Sequence, residues 1–214
     1  MRLKDAARQF LGTIGLLEAV RSFRRRMTPV PRVPSGEEKR RIIDQYRQRF
    51  GTTVFVETGT FLGDTVAAMA PKCERLFSIE LSEELAARAQ KRFAGESKVT
   101  ILHGDSGERL AEVLREIGAP ALFWLDGHYS MDFTYQGEFF RTARGELETP
   151  VMKELQCVLA SNLAHVILID DARIFKGTND YPTVREVTEF VKARRPDYKV
   201  SVRDDIIRIV PRVG

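Results

Sequence analysis

From residue 35 onwards two kinds of apolar pattern alternate along the chain. Thr53–Glu57, Leu76–Glu80, Val99–Leu102, Ala121–Asp126 and His165–Asp170 are short runs, most of them apolar throughout, that read as strands. A stretch with helical spacing follows each. The helices are predicted over Gly63 to about Ala70, Glu83–Phe93, Ser106–Ile117, Thr149 to about Ala160, and Thr183–Arg195. Ser82 can cap the second, while Thr149-Pro150 puts a cap before proline at the first helical position of the fourth. Ahead of them all, Ser35 and Glu38 have capping-box spacing, Ile42, Ile43, Tyr46 and Phe50 form an apolar face, and Gly51 ends the helix. Tyr198–Val202 and Ile206–Val210 flank Arg203-Asp204-Asp205 and predict a closing hairpin. Strands that are apolar on both sides and alternate with helices imply right-handed crossovers and a covered parallel sheet. The expected fold is a doubly wound α/β domain. Its Rossmann-like, mostly parallel sheet has seven strands, ends in an antiparallel hairpin and carries helices on both faces.

The first 35 residues follow a different pattern. Leu3, Ala7, Phe10, Ile14 and Leu17 recur at helical spacing, predicting an amphipathic helix over residues 3–23. Arg24-Arg25-Arg26 comes next, and the prolines between Pro29 and Pro34 must break the helix. Eight Lys/Arg against Asp5 and Glu18 give this segment +6, so residues 36–214 sum to −2 within the net +4 of the 214-residue chain. Its basic character therefore belongs to a tail and cannot be read as a nucleic-acid footprint over the whole surface. Two domains are expected: residues 1–35 as basic helix and linker, and 36–214 as the folded unit. Residues 1–26 either pack on their own domain, join a second subunit as a homo-oligomer, make peripheral contact with an anionic membrane, or serve transit-peptide-like targeting. Glu18 and Arg21 interrupt the apolar run a secretory signal would need, and no run approaches the length of a membrane span, so a cytoplasmic placement is expected. Cys73 and Cys157 are too few for a disulfide framework or a four-ligand zinc site.

In such sheets ligands bind beyond the carboxyl ends of the strands. After the first predicted strand stands Glu57-Thr58-Gly59-Thr60-Phe61-Leu62-Gly63. A dinucleotide fingerprint would need glycine where Glu57 and Leu62 stand, and no Gly-Lys-Ser/Thr completes a phosphate-cradling loop. What remains is acid-x-Gly-x-x-x-Gly. An acid there suits a cationic or hydroxyl-rich ligand, and Gly59 lets the backbone come close. Later strands end in Glu80, which can take ribose hydroxyls, in Gly104-Asp105-Ser106, in Asp126-Gly127-His128, and in Asp170-Asp171.

Acids and glycines in register at successive strand ends resemble the class I S-adenosylmethionine-dependent methyltransferases, over nearly all of residues 36–214. The resemblance implies S-adenosyl-L-methionine held by Glu57, Thr58, Gly59, Thr60 and Gly63 around its methionine part. It implies Glu80 at the ribose, Asp105 with Ser106 at the adenine, and Asp126 facing the sulfonium end. Each acid taken singly could instead cap a helix.

Phe123–Ser130 and Val166–Arg173 look like a bacterial methyltransferase subgroup of largely unassigned substrate. They are also similar to metal-dependent sugar and catechol O-methyltransferases. On that resemblance Asp126, Asp170 and Asp171 fall at the positions of an Mg²⁺ site, which would acidify and orient a substrate hydroxyl. The alternatives are that Asp170 or Asp171 caps the following turn or pairs with Arg173, and that Asp126 serves the cofactor. His128 is the candidate general base, together with Asp126 the expected catalytic pair, or else it only orders Asp126. His103 and His165 lie in strands and read as structural. Residues 129–148 are long for a connection, mixing aromatics with Arg141 and Arg144, and read as a lid or substrate wall. The activity implied is O-methylation of a small hydroxylated acceptor, a sugar or glycan unit, with no nucleic-acid partner. The rivals are a metal-independent N- or carboxyl-methyltransferase and a non-catalytic module docked through the tail.

Overall fold

The computed structural model describes residues 32–128, 133–135, 137–140, 143, 145 and 147–212. The chain divides near residue 32, and the described residues from Val33 on belong to the second unit. The predicted tail helix, Arg141 and Arg144 lie outside the described residues.

Helix α1 (Gly36–Phe50) starts as the sequence predicts, because both halves of the capping box form. Glu38 N–H donates to Ser35 Oγ at 3.2 Å and Ser35 N–H to Glu38 Oε2 at 2.9 Å. Gly51, left-handed at φ 63°, ends the helix. There follow β1 (Val54–Thr58), α2 (Asp64–Met69), β2 (Arg75–Glu80), α3 (Glu83–Arg92), β3 (Val99–His103), α4 (Ser106–Glu116) and β4 (Ala121–Leu125). A short hairpin, β5 (Phe133–Tyr135) with β6 (Glu138–Phe140), stands in the segment expected to be loop. The chain then forms α5 (Val151–Leu159), β7 (Val166–Ile169), α6 (Val184–Arg194), β8 (Tyr198–Arg203) and β9 (Ile206–Pro211). The α5 boundary differs by one residue: Pro150 is the cap, and Thr149 Oγ1 accepts from the Val151 N–H at 3.3 Å.

The main sheet runs β3-β2-β1-β4-β7-β9-β8, with the first five strands parallel and β9 antiparallel to both of its neighbours. Seven strands, the parallel core and the terminal hairpin are as expected. Alternation along each central strand fills two cores. Val56, Phe123 and Ile167 point toward α4, α5 and α6, where Leu110, Leu155 and Val187 meet them. Phe55, Trp124 and Leu168 point the other way, toward Ile43 of α1 and Val66 of α2. The chain order reverses direction at β1, between β2 and β4, so the strand ends there open a crevice.

Of the two histidines expected to be structural, His165 is so. His165 is buried, accepts the Ala121 N–H at Nδ1 (3.1 Å) and lies 2.9 Å from Ser161 Oγ. Burial first, and then the Arg195 charge, push it down to about 4, so it stays neutral at physiological pH. His103 is bonded to the Leu81 carbonyl at 3.2 Å. Asp204 and Asp205 both take positive φ, 48° and 56°, and form the two-residue turn between β8 and β9.

Candidate functional site

A cavity of about 230 Å³ opens at the carboxyl ends of β1 to β4. Gly59, Glu80, Asp105, Ser106, Asp126 and His128 all line it, so five of the expected cofactor positions and both expected catalytic residues come together. Glu57, Thr58, Thr60 and Gly63 do not. They lie behind the wall and build it.

The β1 end shows how. Glu57 is buried and accepts a hydrogen bond from Ser78 Oγ at 2.7 Å, and Ser78 Oγ is also 2.7 Å from Thr60 Oγ1. That chain locks the loop after β1 to β2. Thr58 reaches the other way: its carbonyl accepts the Asp126 N–H at 3.1 Å, fastening the same loop to β4. Between these anchors Gly59 sits at φ 83°, where a Cβ would stand 2.5 Å from the Asp126 carbonyl oxygen. Only glycine fits so close to a neighbouring backbone.

Burial pushes the Glu57 carboxyl up to about 8, with the negative charges of Asp126 and Glu80 adding to the shift and the bonds from Ser78 and Thr65 opposing it. Glu57 is therefore largely protonated at neutral pH. The unfolded carboxyl loses its proton near 4.5, so the folded chain binds more protons between there and about 8. Its contribution to stability is full below about 4.5, declines as pH rises and is gone above about 8. Glu57→Gln, which cannot ionise, should match wild type at pH 4.5 within about 1 kcal/mol. At pH 8.5 it should melt at a higher temperature than wild type. Melting curves at the two pH values check this; equal pH dependence in both chains would rule it out.

Glu80 ends β2 with each oxygen already engaged once. Oε2 accepts the Phe61 N–H at 2.8 Å and Oε1 the Ser82 N–H at 2.9 Å. These bonds aim a rigid carboxylate at the cavity with lone pairs to spare. Asp105 turns out to be the N-cap of α4, with Oδ1 accepting the Gly107 N–H at 2.7 Å, and it also lines the cavity. The capping and ligand-facing readings thus coexist in one residue. Ser106 Oγ donates inward to the buried Glu154 at 2.6 Å, and burial holds Glu154 up at about 7.

Beyond β4 and β7 the acids meet cations. Lys39 Nζ, from the first turn of α1, lies 2.5 Å from Asp170 Oδ2 and 3.4 Å from Asp171 Oδ1. Asp170 Oδ1 accepts the Asp171 N–H at 2.8 Å. Arg173 grips Asp171 with Nη1 to Oδ1 at 2.6 Å and Nη2 to Oδ2 at 3.1 Å. His128 bridges the rest, Nδ1 3.3 Å from Asp126 Oδ1 and Nε2 3.4 Å from Asp171 Oδ2. Every oxygen of Asp170 and Asp171 therefore already faces a donor. Among the described residues no group of three His, Cys, Asp or Glu side chains is arranged to hold a metal. The expected Mg²⁺ set of Asp126, Asp170 and Asp171 does not fit. The physical reason is that cations arriving from α1 and from the turn after β7 fill the space a divalent ion would need.

The same contacts change the reading of His128. Burial pulls its pKa down, but the bond to Asp171 and the charges of Asp126, Asp171 and Asp170 outweigh that and raise it. These contacts favour the protonated ring, and His128 becomes a base only above its raised pKa. Asp126 is itself pushed up, by desolvation and by Asp170, although its side chain is 32% exposed toward the cavity. Asp171 is held well down; His128, Lys39 and Arg173 overcome the effect of its burial.

Sequence reasoning missed Lys39 and the β5–β6 hairpin. Phe61, which lines the cavity, packs edge-on against Phe140 (4.9 Å) and Tyr135 (5.8 Å), and Arg88 of α3 pairs with Glu138 at 2.8 Å. The hairpin therefore stands at the cavity rim, as the lid or wall reading requires of part of that segment. The turn after β7 has a second brace. Arg173 N–H donates to Asp205 Oδ1 at 2.7 Å, its guanidinium also bonds Asp205 Oδ2, and Ala172 N–H donates to the Asp205 carbonyl at 2.8 Å.

No protein-family model matches the chain, and no curated protein matches it. Solved structures do. An O-methyltransferase from Bacillus cereus in complex with SAH is 17% identical, with 92% of this chain and 90% of that chain covered at a TM-score of 0.54. The O-methyltransferase TomG from Streptomyces achromogenes, in complex with SAM, is 19% identical over 93% and 89% at 0.53. The 23S rRNA methyltransferase ErmE is 14% identical over 86% and 70% at 0.52. Because relatives that differ in acceptor share it, the fold does not choose the acceptor. What the likenesses establish is the architecture: the described domain has the fold of the solved S-adenosylmethionine-dependent methyltransferases.

Proposed function

We propose that this protein is an S-adenosylmethionine-dependent methyltransferase that acts on a hydroxyl of a small acceptor, a sugar or glycan-like unit. The observation that carries it is the convergence of Gly59, Glu80, Asp105 and Asp126 on one cavity at the strand ends of this fold. Bound S-adenosylmethionine would supply an electrophilic methyl group. The chain's own part is binding, orientation and a proton acceptor. Glu80 would take ribose hydroxyls on the lone pairs that Phe61 and Ser82 leave, while Asp105 and Ser106 would bound the adenine. Asp126 puts a carboxyl where the sulfonium would lie, and a bound sulfonium would favour its ionised form. His128, two residues on, would receive the acceptor's proton once deprotonated, and Asp171 would orient its ring.

The reading is metal-independent, since cations already face the carboxylates that would hold Mg²⁺. Exposed Phe139 and Tyr135 on the rim hairpin offer an apolar face to an acceptor ring. A nucleic-acid acceptor is disfavoured by the −2 of residues 36–214. Residues 1–26 remain the candidate membrane or subunit contact; among the described residues no helix is long and apolar enough to cross a membrane. Calorimetry with S-adenosylhomocysteine in EDTA should give binding at about micromolar Kd, about −8 kcal/mol. Glu80→Ala should weaken it at least about tenfold through loss of charge-assisted hydrogen bonds. No heat of binding to the wild-type chain would sink the assignment.

A further inference from the structure

Lys39 is badly placed for an ordinary surface lysine. It stands in the first turn of α1, where the positive end of the helix dipole disfavours an ammonium. Ile43, one turn on and on the same face, is fully buried against the sheet, so Lys39 is aimed inward as well. The capping box of Ser35 and Glu38 fixes the helix start immediately before it. Its side chain is 20% exposed and reaches Asp170, whose own side chain is 2% exposed. Helix α1 lies against β4 and β7, the two strands whose ends carry the carboxylates.

A cation that spans Asp170 Oδ2 and Asp171 Oδ1 from one side stands where a bridging divalent ion would have to stand. It is also covalently tethered, so its local concentration is always high. Arg173 and His128 close the remaining sides of Asp171. We propose that the Lys39 ammonium is the built-in cation of this carboxylate cluster, taking the place of a divalent metal and holding Asp170 and Asp171 in position. Lys39 acts on the cavity through Asp171 and His128, so it is a positioning residue. What the cluster is used for rests on the methyl-transfer reading; which cation fills it does not.

Electron paramagnetic resonance of Mn²⁺ with the full chain tests this without any substrate. Wild type should leave the free-ion signal intact into the millimolar range. Lys39→Met should gain a Mn²⁺ site at least about tenfold tighter than anything in wild type, because the buried Asp170 Oδ2 loses the cation paired with it and Asp171 Oδ1 keeps only Arg173. Adding Asp170→Asn should remove that site, and Lys39→Arg should keep Mn²⁺ out. Lys39→Gln, which retains most of the side-chain volume, carries the same expectation if the Met chain does not fold. Wild-type Mn²⁺ binding that Asp170→Asn abolishes would overturn the proposal. So would folded Met or Gln chains that gain nothing. A chain that fails to bind S-adenosylhomocysteine yet gains Mn²⁺ on losing Lys39 would refute the methyltransferase reading and leave the built-in cation standing.

Discussion

Gly59→Ala should abolish S-adenosylhomocysteine binding, by at least about 100-fold, and lower the melting temperature by roughly 5–15 °C. Two independent terms combine. The backbone is at φ 83°, where an L side chain is strained by about 1–2 kcal/mol. The added Cβ would also lie 2.5 Å from the Asp126 carbonyl oxygen and 2.9 Å from its carbon, so the loops after β1 and β4 must separate. Both loops line the cavity, and a displacement of about 1 Å is enough to lose two orders of magnitude in a positioned site. Gly51→Ala is the matched control. Its φ is 63° but nothing lies within 4 Å of the new carbon, so it should destabilise by about 1 kcal/mol and bind normally. Thermal melts and calorimetry on the two variants separate strain from collision. Equal binding by Gly59→Ala and wild type would mean that the cavity does not hold the ligand.

His128→Asn should lower the rate of methyl transfer by about 10²–10⁴-fold while leaving S-adenosylhomocysteine affinity within about fivefold, the signature of lost general-base catalysis. The pH profile makes the claim specific. In wild type the rate should rise with pH through a limb lying above His128's ordinary 6.5, because Asp171 and Asp126 hold its proton. Asp171→Asn removes the largest of the interactions that raise the pKa, so the limb should move to lower pH. His128→Asn should have no such limb. A limb unchanged in position by Asp171→Asn would show that another group titrates, and would return His128 to a purely structural role.

The parts of this site written in local sequence were readable, and the parts assembled across long separations were not. Ser35 and Glu38 announce their helix because a capping box needs nothing beyond four consecutive residues. Glu80 and Asp105 announce a cavity because strand ends in a parallel sheet all emerge on one side. Lys39 announces nothing. It is followed by Arg40 and Arg41 in a run of three cations, and only contact with Asp170, 131 residues away, distinguishes it. The resemblance put a metal at Asp126, Asp170 and Asp171, and although Arg173 was legible as a neighbouring partner, Lys39 was not, because it arrives from a helix far away in the chain. The β5–β6 hairpin escaped for a different reason: each strand has three residues, too few for a period-2 pattern to register. Glu57 was read as a ligand because its position at a strand end was legible, whereas its enclosure by Ser78 and Thr60 was not.

The brace between Asp205 and the turn after β7 sets an order of events during synthesis. Every residue that lines the cavity has been made by the time Lys153 emerges, and the acid pair follows at Asp170 and Asp171. Yet Ala172 and Arg173 take their partners from the β8–β9 turn, and β9 must insert beside β7 to deliver it. A nascent chain can therefore fold its parallel core first while the grip of Arg173 on Asp171 waits for Asp205. A chain that ends between Arg173 and Asp205 carries the acid pair without the brace on its turn. Catalytic competence should arrive abruptly, with the last hairpin.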